Sequence, residues 1–96
     1  MYSPKDLVEE TDLFNKRIGG NVRELRKKLG LTQKELCQRA QLLGFGYSEC
    51  TFSRIETGVK KITVFDLIVL AQSMSVSVDR ILIGGEEDED AAGSGT

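Results

Sequence analysis

The sequence predicts an all-α protein. Leu, Glu, Lys, Arg and Gln cluster in windows of about ten to fifteen residues, and no long run alternates β-branched and polar residues as a half-buried strand would. Only one proline interrupts 96 residues, 40% of which are hydrophobic. That is material for one small core and not for two.

At the N-terminus, Ser3-Pro4 followed by Asp6 can start a helix, with a hydroxyl cap, proline at the first helical position and an acid in the first turn. Leu7, Thr11, Phe14, Ile18, Val22, Leu25 and Leu29 then recur at three- and four-residue intervals, one face of a helix. Gly19-Gly20 interrupts this face at a cost of roughly 1 kcal/mol per glycine relative to alanine. Helix is expected from Ile18 to Leu29, and whether the first fifteen residues join it stays open. Gly30 stops it. Thr32 and Glu35 have the spacing of a capping box and open a second helix whose stripe is Leu36, Ala40 and Leu43, ending near Leu43. Ser48 caps a third helix of about ten residues, in which Phe52 and Ile55 turn inward and Gly58 closes the end. Thr63 and Asp66 repeat the cap-then-acid signature for a fourth helix, apolar on most sides through Phe65, Leu67, Ile68, Leu70 and Ala71, and therefore expected to be buried. Ser77 caps a short fifth, Val78 to Ile83. The domain is expected to span 16–85, between an N-terminal acidic extension at 1–15 and a tail at 86–96 too polar to offset its ordering entropy, expected to be disordered.

The formal net charge of −2 hides an asymmetry. Residues 1–15 set Lys5 against Asp6, Glu9, Glu10 and Asp12, and residues 86–90 are all acidic. Of the thirteen Lys and Arg, all but Lys5 lie in 16–85, against six acids there, so the body carries +6. A basic body between acidic ends suits a polyanion, although a solvated surface explains the same charges.

The chain has no histidine, and Cys37 and Cys50 lack both a CxxC spacing and a His partner. No metal site is expected, and Ser-His and Cys-His nucleophile pairs are excluded. Nothing supports an enzyme, a cofactor or a small-molecule site. No membrane-length apolar run and no signal peptide appear, so a cytoplasmic location is expected.

Consecutive short helices capped by Thr32 and Ser48 are the pieces of a helix-turn-helix, although any small bundle has consecutive helices. The ordered blocks IGGNVRELRKKLGLTQKEL, FSRIETG and VFDLIVLAQSMSVSVDRIL carry more. Over about residues 18–83 the chain resembles the lambda-repressor-like helix-turn-helix domains of the Cro and Xre type. QLLGFGYS, longer than the usual turn around one Gly, resembles a long-turn subset. The resemblance implies a five-helix fold and sequence-specific double-stranded DNA binding by a transcriptional regulator, repressor-like, with a reading helix at about 49–57 in the major groove. It further implies that Gln33 touches a phosphate and braces that helix, that Glu49, Cys50, Ser53 and Arg54 face the groove, and that Lys60 and Lys61 meet the DNA backbone. Arg26 and Glu56 match a structural ion pair. Cys37 falls at a small-residue position.

A helical wheel orients the third helix independently. With Phe52 and Ile55 inward, Cys50 and Thr57 point outward, Ser53 and Arg54 lie about 50° to either side, and Glu49 is on the flank. Arg54 is the best base reader, because its fork pairs with guanine O6 and N7. Glu49 can accept from cytosine N4 or simply favour the helix N-terminus. Phe45 and Tyr47 can pin the long connection to the core, and the Tyr47 hydroxyl can alternatively face a phosphate. Oxidation of Cys50 would block docking, a redox role that neighbouring Glu49 opposes.

One short reading helix covers few base pairs, so a homodimer is expected, with Val78, Ile81 and Ile83 as its surface. The rival function is a protein-interaction module of the same fold, an antitoxin or regulatory adaptor.

Overall fold

A computed structural model describes residues 4–84, with side chains from residue 10 onward. The expected disorder of the tail and the Ser3 cap lie outside the described residues. Those residues form five helices: α1 Pro4–Lys28, α2 Gln33–Leu42, α3 Glu49–Glu56, α4 Val64–Met74 and α5 Val78–Ile83. No strand occurs among them.

The helix starts follow their caps. Thr32, Ser48, Thr63 and Ser77 each sit in extended conformation just before a helix and accept from the backbone N–H three residues on. The capping boxes of α2 and α4 are both complete, with Glu35 and Asp66 reaching back to the cap N–H. Each such cap contributes about 1 kcal/mol. Gly30 adopts φ 74 and ends α1, with the Leu31 N–H returning to Arg26 O at 3.0 Å.

α1 runs unbroken through Gly19 and Gly20, so the extension and the first domain helix are one element. The glycines are unlike each other. A Cβ on Gly19 would collide with the carbonyl oxygen of Ile55 and lie 2.8 Å from that of Glu56, whereas one on Gly20 would meet nothing within 4 Å. Gly19 thus lets α1 rest on the last turn of α3, where a side chain would hold the two helices apart. The contact is mutual, because a Cβ on Gly58, itself at φ 80, would fall 2.6 Å from Cγ of Lys16.

The core takes Ile18, Val22 and Leu25 from α1, Leu36, Cys37 and Ala40 from α2, Phe52 and Ile55 from α3, Val69, Leu70, Ala71 and Met74 from α4, and Ile81 from α5. α1 packs on α3 and α5, α2 on α3 and α4, and α4 on α5. Two buried or half-buried amides close gaps that apolar residues could not. Asn15 Oδ1 accepts from the Ile62 N–H at 3.0 Å, and Asn21 Nδ2 donates to Ile81 O at 2.8 Å, satisfying a carbonyl at the end of α5.

Three expectations change. α4 is not buried all round: Val69, Leu70 and Met74 face the core, while Val64, Phe65 and Ile68 are exposed on the opposite side. Leu43, expected in the α2 stripe, is half-exposed as the C-cap residue beyond the helix. Ile81, assigned to a dimer surface, is fully buried in its own chain, with Val78 half-buried against the same core. Its apolar side chain completes the monomer, which leaves Ile83, 50% exposed, as the free member of that set.

Candidate nucleic-acid interface

The site is built on α3. Phe52 and Ile55 are fully buried and anchor one face. Glu56 anchors the C-terminal end through charge. Arg26 Nε lies 2.6 Å from Glu56 Oε2 and Nη2 lies 3.0 Å from Oε1, a two-pronged pair with little solvent. Each guanidinium nitrogen has a partner, Nη1 donating to Leu31 O at 2.8 Å. Hydrogen bonding to Glu56 raises the Arg26 pKa further above its ordinary value, against the opposing effect of burial. Gln33, the first residue of α2, joins the group by donating from Nε2 to Glu56 Oε1 at 3.1 Å. One carboxylate therefore ties the end of α3 to the end of α1 and the start of α2. A buried pair of this kind adds little net stability compared with a well-packed apolar pair, but it specifies one geometry strongly.

With three positions fixed inward, the remaining side chains fall where the wheel puts them. Glu49, Cys50, Arg54 and Thr57 are exposed and Ser53 is half-buried. The Thr57 hydroxyl donates back to Ser53 O at 3.0 Å, so its proton is already engaged within the helix. Among the described residues Arg54 has no side-chain hydrogen bond or ion pair. Its fork is uncommitted. Cys50 is exposed while Cys37 is buried, its Sγ donating to Tyr47 O at 3.3 Å, and both thiols are free.

The flanks differ from the expectation. Lys61 is exposed, but Lys60 turns inward, its Nζ 2.7 Å from Oδ2 of Asp66, a residue only 1% exposed. Tyr47 donates its hydroxyl to Oδ1 of the same carboxylate, so it does not face a phosphate. Its ring leans on Phe52 at 5.5 Å and on Phe65 at 6.2 Å, and Phe65 meets Phe45 edge-on at 5.8 Å. The long connection is thus pinned by aromatic packing and by hydrogen bonds, from the Tyr47 hydroxyl to Asp66 and from Cys37 Sγ to the Tyr47 carbonyl. Burial pushes the Asp66 carboxyl up, and hydrogen bonds from Lys60, Tyr47 and Thr63 outweigh it, holding the group below its ordinary value. Burial first, and then the bond to Asp66, raises the Tyr47 phenol well above its own.

Sequence reasoning missed this carboxylate. Thr63-Val64-Phe65-Asp66 signals a helix start, and nothing in that signal says that residues 47 and 60 converge on its acid.

The architecture and the charge pair are those expected of a helix-turn-helix, and residues 17–81 match the family described as a helix-turn-helix domain. The chain belongs to the helix-turn-helix family. A curated relative from Sinorhizobium fredii (strain NBRC 101917 / NGR234), an uncharacterized HTH-type transcriptional regulator called y4dJ, is 39% identical over 64 residues, 67% of this chain and 77% of its own length. No solved structure matches significantly. The family match, residues 17–81, leaves the acidic N-terminal extension at 1–15 outside its span. Among the described residues no group of His, Cys, Asp and Glu is placed to hold a metal, and no helix is long and apolar enough to cross a membrane.

Proposed function

We propose that this helix-turn-helix protein is a sequence-specific, double-stranded DNA-binding transcriptional regulator whose α3 lies in the major groove. The observation that carries the reading is the division of α3. Phe52, Ile55 and Glu56 are held in the body while Cys50, Arg54 and Thr57 stand clear of it, with the Arg54 fork uncommitted. Arg54 would read a guanine, Ser53, Cys50 and Thr57 would make small contacts beside it, and Glu49 would complement the α3 N-terminus. Gln33 and Lys61 would meet phosphates. The relative's description as a transcriptional regulator supports the same direction.

An eight-residue reading helix addresses few base pairs. Two copies on half-sites about 34–36 Å apart would supply the missing specificity. Ile83 is the exposed apolar residue at the end of α5 from which such a pairing would start. Truncation at Val76 cannot test the pairing, because it removes Ile81 from the monomer core. Ile83→Asp is the better variant: it should lower cooperativity on a paired site and leave binding to one half-site in place.

The rival, a protein-interaction module, draws on the exposed Val64, Phe65 and Ile68. Salt titration of binding to duplex DNA separates the two. DNA binding should weaken with a slope of about 0.9 per phosphate neutralised in log affinity against log salt. A chain that shows no such binding at low salt would favour the rival.

A further inference from the structure

Asp66 lies in the first turn of α4, away from the outward face of α3, yet both flanks of α3 end on its carboxylate. Tyr47 immediately precedes the Ser48 cap, packs its ring on Phe52 and donates its hydroxyl to Oδ1. Lys60 follows the Thr57 cap, gives its backbone N–H to Arg54 O at 3.2 Å and sends Nζ to Oδ2 at 2.7 Å. The Thr63 N–H completes the set at 3.0 Å. A carboxylate this deeply buried is tolerable only when its acceptor sites are filled, so the group has one low-energy arrangement and resists displacement of either neighbour.

We propose that Asp66 is a positioning residue for the reading helix, holding Tyr47 before α3 and Lys60 after it, and that Lys60 thereby serves this anchor in place of a phosphate contact. The proposal rests on the reading of α3 as the DNA-facing helix. Its physical basis is tolerance. Side chains that read base edges must be held to within about 0.5 Å, whereas flexible lysines find phosphates from a loosely placed helix. Loss of the anchor therefore removes discrimination before it removes binding. The pair Arg26–Glu56 secures only the C-terminal end of α3. The link through Tyr47 is what reaches the N-terminal end, where Glu49 and Cys50 stand.

The test uses the full chain with Tyr47→Phe, Lys60→Met, Lys61→Met and Asp66→Asn, binding a selected duplex and a random duplex across a potassium chloride series. Tyr47→Phe should lower the ratio of selected to random affinity by about tenfold, with random affinity changed by no more than about twofold. Lys60→Met should lower the same ratio with an unchanged salt slope, whereas Lys61→Met should make the slope shallower by about 0.9. Amide hydrogen exchange gives a readout independent of DNA. In Tyr47→Phe, and in Asp66→Asn where it folds, exchange should rise at Phe52 and Ser53 of α3 while Val22 and Leu25 of α1 keep the parent's rates. A slope for Lys60→Met as shallow as that for Lys61→Met would overturn the proposal. So would a uniform rise of exchange across α1 and α3 with both affinities falling together. A parent that binds neither duplex overturns the DNA reading itself and the proposal with it; a parent that binds while its variants match it overturns the proposal alone.

Discussion

Glu56 accepts from two partners that no short window of sequence brings together, Arg26 and Gln33, and so ties the C-terminal end of α3 to α1 and α2. Replacing it with Gln leaves the Arg26 guanidinium buried against a neutral amide. The expected loss is about 3–5 kcal/mol in unfolding free energy, the cost of an uncompensated buried charge, readable by urea denaturation. A loss below about 1 kcal/mol would show the pair to be solvated. Asp66 makes a prediction in pH. Its folded pKa lies below the unfolded value of about 3.9, so the stability it contributes is present above that value and is lost as pH falls through the folded pKa. Asp66→Asn lacks that contribution, since a neutral amide resembles the protonated acid. The gap in melting temperature between parent and variant should therefore be wide at about pH 6 and narrow progressively as pH falls below about 3.9. A gap independent of pH would mean that the Asp66 carboxyl has the same pKa folded and unfolded.

The helices show what a linear pattern reveals and what it hides. Four N-caps were legible because a hydroxyl oxygen three residues before the N–H that donates to it is a local arrangement, needing nothing from the rest of the chain. The outward set on α3 was legible for the same reason, from period alone. Gly19 was not, since its value is set by a backbone thirty-six residues away: read as a weakness in α1, it is the point where α1 and α3 touch. Two opposed substitutions express this. Gly20→Ala should stabilise by about 0.5–1 kcal/mol through helix propensity, because nothing obstructs its methyl. Gly19→Ala should destabilise by about 1–3 kcal/mol or more, because its methyl meets the Ile55 carbonyl. Thermal melts that rank the two variants the other way would contradict this helix crossing. Likewise, the apolar run of α4 could not say which side meets the core, and the exposed Phe65 emerged only once Phe45 and Tyr47 were seen to pack on it. Ile81 misled in the other direction, because its burial depends on α1 and α4 closing over a helix of six residues.

Charge and fold point the same way. Residues 16–85 carry the +6 charge, and within them α3 divides into an anchored face and a face free to make contacts. Lys60, although counted in that charge, is neutralised locally by Asp66, which leaves the exposed Lys61 as the cation immediately beyond α3. On the proposed reading, α3 chooses a sequence, with Arg54 as its principal reader. The most direct measurement is binding-site selection from randomised duplex DNA, with Arg54→Ala carried beside the parent. The parent should enrich one motif containing a guanine that the variant no longer selects, and the variant should bind the parent's site about 1–3 kcal/mol more weakly while leaving the other positions of the motif intact. Enrichment of no motif by the parent, or of the same guanine by both proteins, would contradict the account.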